Sequence, residues 1–328
     1  MALNLFNSLS RSGLLVLFTI AAAVDAPAQN GEPPPAWAYP VTPLGFKPAP
    51  DDGLLKHVPN STAAYPLGEL RNPFLAPDWH PEDHAPMPDV VQHGRKPDVL
   101  ACGYCHRADG PGGPENASLA GLPAAYIVQQ MADFKSGARK SAAPQRLPSQ
   151  AMTALAKAAT DADVATAAAY FSALKPKALI RVIETNTVPK SYVAGWLLAA
   201  VNTGETEPIG RRIIEVAEDL EQFEHRDTHS RFIAYVPVGS LQQGQVIVDT
   251  GRGDKTIQCR TCHGPDLRGL GVVPRIAGRS PSYIFRQLYD FKQGQRASLG
   301  SALMKQTVAK LTEDDMLSLS AYLANLPP

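Results

Sequence analysis

Spare cysteine is missing from this 328-residue chain: its four cysteines all fall in two short segments, and none is left for a separate disulfide or thiolate site. Net charge is missing as well. With 31 basic and 31 acidic residues, nothing points to nucleic acid or a polyanionic surface, so partner docking must rest on local patches. Past the first 24 residues no apolar run is long enough to cross a bilayer. No Ser-His-Asp set, phosphate-binding loop or additional metal cluster stands out either.

The two segments holding the cysteines are Cys102-Gly103-Tyr104-Cys105-His106 and Cys259-Arg260-Thr261-Cys262-His263. A zinc site built from two Cys-x-x-Cys pairs keeps them within about 20 residues, whereas these lie 157 positions apart. A thioredoxin-like pair belongs beside a βαβ pattern, and both segments here are flanked by helical sequence. Disulfides would leave a histidine after each pair unexplained. Each segment therefore reads as a covalent haem attachment site: two thiols add to the two vinyl groups, and the next residue brings an imidazole to the iron. Cys102, Cys105, Cys259 and Cys262 are the expected tethers for two haem c groups, with His106 and His263 as proximal iron ligands.

An internal repeat extends well beyond these motifs. At the same offset of 157, Gly94-Arg95 meets Gly251-Arg252, Leu119-Ala120-Gly121 meets Ile276-Ala277-Gly278, and Tyr126 meets Tyr283. Asp133-Phe134-Lys135 then meets Asp290-Phe291-Lys292, and Gly137 and Arg139 meet Gly294 and Arg296. Such extended self-similarity signals duplication of a unit of about 80 residues. After five extra residues in the first copy the register resumes at 152, setting Met152 on Met304 and Thr160-Asp161-Ala162-Asp163 on Thr312-Glu313-Asp314-Asp315. A thioether is a soft ligand that binds haem iron opposite histidine, so Met152 and Met304 are the expected distal ligands. Met131 and Met316 lack methionine partners in the other copy and read as core filler.

Apolar periodicity predicts helices. Ile127, Met131 and Phe134 recur at helical spacing, as do Ile284, Leu288 and Phe291. Pro281 and Gly294 punctuate the latter helix. Closing helices are expected from Thr160 and Thr312, each with an acid three residues on to complete a capping box. Each copy is thus a small helical cup able to enclose a porphyrin. At the N-terminus a charged start, the apolar run Gly13 to Val24 and Ala26-Pro27-Ala28 predict a secretory signal over 1–28.

Taken together, the two Cys-x-x-Cys-His motifs, the Leu/Ile-Ala-Gly turn, the Tyr…Asp-Phe-Lys-x-Gly-x-Arg helix and the methionine ahead of Thr-(Asp/Glu)-x-Asp resemble the di-haem bacterial cytochromes of the c-four type. That resemblance implies a mainly α fold of two tandem class I cytochrome c domains, over 88–176 and 240–328. It implies export to the periplasm, where haem is attached, and redox protein partners: a dehydrogenase, a quinol-oxidising complex or a terminal oxidase. Three features depart from it. The family places a proline two residues before the Leu/Ile-Ala-Gly turn, its carbonyl orienting the proximal histidine; Pro274 fits, but Ala117 stands at the first position, so the two haems are expected to be unequal. A long stretch, 177–239, separates the copies; Ile180–Glu184 and Arg231–Val236 read as strands of a small β-rich insertion, and the run Trp196 to Val201 is undecided. In it Glu215, Glu218, Asp219, Glu221 and Glu224 form an expected acidic surface face. Finally, the Pro-rich stretch 29–87 reads as an extended arm.

His80, His84, His93 and Met87 could in principle replace a methionine, but such residues are more often structural, and His93 aligns with Thr250, which has no ligand chemistry; His57, His225 and His229 read as surface residues. Two functions compete: a periplasmic carrier of single electrons, and a haem enzyme or cytochrome subunit resembling thiosulfate dehydrogenases or peroxidases. Catalysis at haem needs an open axial position or an unusual ligand such as cysteine, and no cysteine remains. The carrier, not an enzyme, is the expectation.

Overall fold

The computed structural model describes residues 33–328; the predicted signal segment 1–28 lies outside them. In the first copy the motif helix Cys102–His106 is followed by α1 (Ala124–Ser136), α2 (Leu147–Ala158) and α3 (Asp161–Ala173). Thr160 caps α3 with the anticipated reciprocal pair: its side chain accepts from Asp163 N, and Asp163 accepts from Thr160 N. Three strands follow, β1 (Ile180–Glu184), β2 (Ile214–Ala217) and β3 (Phe232–Val236), then α4 (Ser240–Thr250). The second copy continues with the motif helix Arg260–His263, α5 (Pro281–Lys292), α6 (Ala302–Val308) and α7 (Glu313–Asn325), the last capped by Thr312 and Asp315 in the same way.

The copies differ at their starts. The first copy's counterpart of α4 is a single turn, Asp89–Gln92. Pro86 and Pro88 explain this, since proline removes a backbone donor and clashes with the preceding turn. In the second copy Gly244 permits a close crossing of α4 and α7: a Cβ there would lie 2.1 Å from Ser318 O and 2.6 Å from Tyr322 Cβ. The aligned residue in the first copy is Met87, where no such crossing is built.

The insertion forms a three-stranded sheet with β3 in the centre, parallel to β1 (Ile180 opposite Phe232) and antiparallel to β2 (Ala217 opposite Phe232). The undecided run around Trp196 is a strand, Leu197–Ala200, paired with Ser191–Ala194 through a two-residue turn. Gly195, at φ +63°, supplies the positive φ that such a turn needs at its first position. The expected acidic face is not uniform. Glu215 is buried on β2, its Oε2 accepting from Ser280 Oγ at 2.7 Å and Ser282 N at 3.1 Å, so it fastens the insertion to the start of α5.

The Pro-rich stretch is only partly an extended arm. Trp37 and Tyr39 lie in the second copy's core, Tyr39 OH donating to Asp290 Oδ1 at 2.8 Å. Farther on, Val58, Leu67, Leu70 and Trp79 make a small core of their own. Trp79 Nε1 donates to His225 O at 2.7 Å, tying this knot to the insertion.

The signature residues of the repeat meet each other across the junction between the copies. Arg139 and Arg296 form a short antiparallel bridge, flanked by Lys140 N to Gln295 O and Ala297 N to Ala138 O, both 2.7 Å. Both guanidiniums donate to Gln130 Oε1 and both to Gln287 Oε1, at 2.6–3.2 Å. Arg139 also stacks on Phe134 and Arg296 on Phe291. These pairs are all related by the same 157-residue offset, so the junction is pseudo-two-fold.

Gly244→Ala should cost about 3 kcal/mol, the upper end of overpacking penalties because backbone rather than a movable side chain is struck. Guanidinium denaturation of the haem-loaded protein checks this, with Gly300→Ala, where nothing lies within 4 Å, as the unaffected control.

Candidate functional site

Each proximal histidine stands at the end of its one-turn motif helix and is held from one side by a backbone carbonyl. His106 Nδ1–H donates to Ala117 O at 2.8 Å, and His263 Nδ1–H donates to Pro274 O at 2.8 Å. Burial pushes His106 down to about 4 and also lowers His263, so both are neutral imidazoles with Nε2 free to bind metal. The bond expected to be in doubt at Ala117 is present at the same length as its partner. A carbonyl is the acceptor and every residue has one; the predicted inequality of the haems loses that basis. Gly112, at φ +65°, makes room: a Cβ there would lie 2.5 Å from Ala117 O.

No two of the cysteines are joined in a disulfide. Burial pushes Cys102 up to about 12 and Cys259 up to about 11, the reverse of what an activated redox thiol needs. Among the described residues, no cysteine belongs to a cluster with metal-ligand geometry.

Cys102, Cys105, His106 and Met152 all line one cavity of about 280 Å³. Leu119, Leu122, Ile127, Phe134, Leu155 and Phe171 supply apolar wall. Met131 lines it too, so position in the cavity alone does not separate the two methionines; the repeat does. His80, His84, His93 and Met87 are not among its lining residues. In the second copy Met304, on α6, packs against the same core cluster as Cys259.

Sequence reasoning missed the other wall of this cavity. Arg139, Arg146, Arg279 and Arg286 line it together with Tyr283, and all four arginines are buried. Their partners are largely neutral: Arg146 donates to Pro40 O and Trp196 O, Arg279 to Arg275 O and Ser118 O, Arg286 to Ala38 O and Pro114 O. Arg279 Nε has no hydrogen-bond partner. Burial lowers Arg146 to about 9 and lowers Arg286. Burial would raise Tyr283, but Arg139, Arg279 and Arg296 outweigh it and hold the phenol below its ordinary value. Buried cations facing carbonyls call for an anion. A porphyrin with an apolar rim and two propionates fits this wall: apolar on one side, guanidiniums on the other, imidazole and thioether at hand. Arg139 and Arg296 could have been flagged, since they repeat; Arg279 and Arg286 align with Leu122 and Gln129 and left no such trace.

The two motifs differ in their cover. Arg226 of the insertion stacks 3.5 Å over the Tyr104 ring and donates to Tyr104 O and Leu70 O, both 2.9 Å. Arg107 stacks on Phe223 and donates to Phe223 O at 3.2 Å. Around the second motif Cys262 is exposed, and Ile257, Leu270 and Val272 stand 51–65% exposed. The histidines read as surface residues fare differently: His225 is buried and His229 is a third exposed.

No protein-family model matches the chain. It is 27% identical over 234 residues to cytochrome c4 of Azotobacter vinelandii, covering 70% of this chain and 85% of that one. It is 40% identical over 76 residues to cytochrome c-554(547) of Halothiobacillus neapolitanus, covering 21% of this chain and 84% of the relative. Among solved structures, thiosulfate dehydrogenase TsdBA from Marichromatium purpuratum superposes with a TM-score of 0.50 at 26% identity, over 73% of this chain but only 39% of that one.

Gly112→Ala should displace the Ala117 carbonyl and loosen the His106 ring. The expected result is a changed midpoint potential for one haem with the other unmoved, read by spectroelectrochemical titration; a titration identical to wild type would contradict the carbonyl's role.

Proposed function

Since this chain belongs to the di-haem c-type cytochromes of the c4 type, with two covalently bound haem c groups, we propose that it is a periplasmic carrier of single electrons. In this reading two tandem domains, over 88–176 and 240–328, would each hold one haem, with His106 and Met152 ligating its iron in the first and His263 and Met304 in the second. Bound haem c supplies a one-electron iron couple whose potential is set by its axial ligands.

The observation that carries the reading is the shared cavity of Cys102, Cys105, His106 and Met152. Its histidine is neutral, oriented through Nδ1 and free at Nε2. Met152 brings a soft thioether to the same space, and methionine opposite histidine raises the potential. The apolar wall would exclude water, and the buried arginines would neutralise haem carboxylates that are otherwise costly to enclose. Held by these side chains, neither iron would have a position left for a substrate, which is the property of a carrier.

The covered first motif and bare second motif give the protein a direction. Arg226, Arg107 and Phe223 brace the first copy, so redox protein partners dock on the face of the second, over Ile257, Leu270 and Val272. The insertion's role in this reading is a brace. A second reading, a cytochrome subunit of an oxidoreductase, draws on the likeness to thiosulfate dehydrogenase TsdBA; it requires one axial methionine to be absent or exchangeable. Among the described residues no helix is long and apolar enough to cross a membrane.

Met152→Ala and Met304→Ala, made singly, should each remove roughly half of the methionine-sulfur charge-transfer absorbance of the ferric protein and lower the potential of one haem. Full absorbance in either variant would move the ligand to another residue, Met131 first in the first copy and Met316 in the second. Leu270→Glu with Val272→Glu should slow re-oxidation of the reduced protein by membranes of the parent bacterium about tenfold, the loss typical of an interface hot spot, with unchanged optical spectrum. An unchanged rate would place the docking face elsewhere.

A further inference from the structure

Six of the eight histidines stand outside the two motifs, and four of them, His80, His84, His225 and His229, fall in two short stretches. The fold brings these stretches together across 147 residues of chain. We propose that His80, Asp227 and His229 bind a divalent first-row transition-metal ion of the zinc class, at a site separate from both haem sites.

One ligand atom from each of the three residues lies within 4.8 Å of the others. His80 Nε2 is 2.9 Å from Asp227 Oδ1, a hydrogen bond that needs to open only to the ~3.3 Å between neighbouring tetrahedral ligands whose bonds to zinc are each ~2 Å long. Asp227 is fully buried, with its other oxygen accepting from Gln222 Nε2 at 2.6 Å, so the carboxylate is fixed. His80 is 1% exposed, yet its Nδ1 has no hydrogen-bond partner; the nearest carboxylate oxygen, Glu82 Oε1, is 3.6 Å away. A buried ring nitrogen left unpaired is costly, and metal ligation through one nitrogen with a carboxylate closing on the other is the usual remedy. Asp83 Oδ2, 2.6 Å from His229 Nε2, stands at the rim, where Lys177 Nζ donates to the same oxygen at 2.5 Å.

The His80 and His229 rings lie stacked, centroids 3.7 Å apart and 12° from parallel. In-plane lone pairs of parallel rings do not converge, so one ring must turn to bind; His229, a third exposed, is the one with room. Two imidazoles with one or two carboxylates select zinc, copper(II) or nickel over calcium and magnesium, which take oxygen alone, and over copper(I), which prefers sulfur. The ion would staple the N-terminal knot to the insertion at the point where Trp79 already donates to His225 O.

The test uses the haem-loaded protein, stripped with EDTA, incubated with ZnCl2 and desalted. Elemental analysis should find one zinc per two haem irons, and thermal unfolding should shift upward by several degrees. His229→Gln, at a partly exposed position, should weaken zinc binding at least tenfold in titration calorimetry, whereas His57→Gln, at an exposed histidine, should leave it unchanged. Zinc below a tenth of an equivalent at 100 μM free metal would overturn the proposal, as would equal affinity in His229→Gln and wild type, or equal loss in the two variants. Haem content, measured in the same samples, separates failure of this site from failure of the haem reading.

Discussion

Everything in this molecule follows from joining a tether and a metal ligand in one turn of helix. Cys-x-x-Cys-His places two thiols and an imidazole so close that the group they hold has no freedom to be anywhere but against the adjoining helices. The helices must then supply an apolar enclosure, and the loop after the motif must orient the imidazole. Both copies do the latter with a backbone carbonyl at the same 2.8 Å. The side chain at that position is free to vary, which is why alanine serves as well as proline.

The second constraint is charge. A bound haem would bring two carboxylates into an interior that cannot tolerate bare anions, and the buried arginines lining the cavity are the groups that would meet them. Arg139 and Arg296, each shared between Gln130 and Gln287, make that junction and also contribute to the cationic field around Tyr283. The residues that mark the repeat in the sequence are thus the residues that hold the repeats together. Pseudo-symmetry ends there: the insertion and the N-terminal knot close over the first motif and leave the second open.

Much of this was legible beforehand, for identifiable reasons. The motifs, the helix caps at Thr160 and Thr312, and the α5 start at Pro281 depend on local chemistry at fixed spacing, which sequence displays directly. The matched positions of Met152 and Met304 were visible through duplication. What escaped depends on contacts between distant segments. Arg146 reaches the cavity from before α2, and Arg279 and Arg286 from just before and within α5, with no counterpart arginine in the other copy to mark them. Glu215 looks like one acid among several until β2 turns it toward Ser280. His225 and His229 look like solvent-exposed residues until Trp79 and His80 arrive from the other end of the chain. The Leu197–Ala200 strand was hidden because a four-residue apolar run has no periodicity to read; only Gly195, supplying the turn, marked it.

The most direct measurement is intact mass on protein made in a host able to attach haem c, comparing wild type with Cys102→Ser/Cys105→Ser and Cys259→Ser/Cys262→Ser. The account predicts a mass increase of two haems for wild type and of one for each double variant that is recovered. Wild-type protein carrying no added mass, or a double variant that keeps both haems, would contradict it.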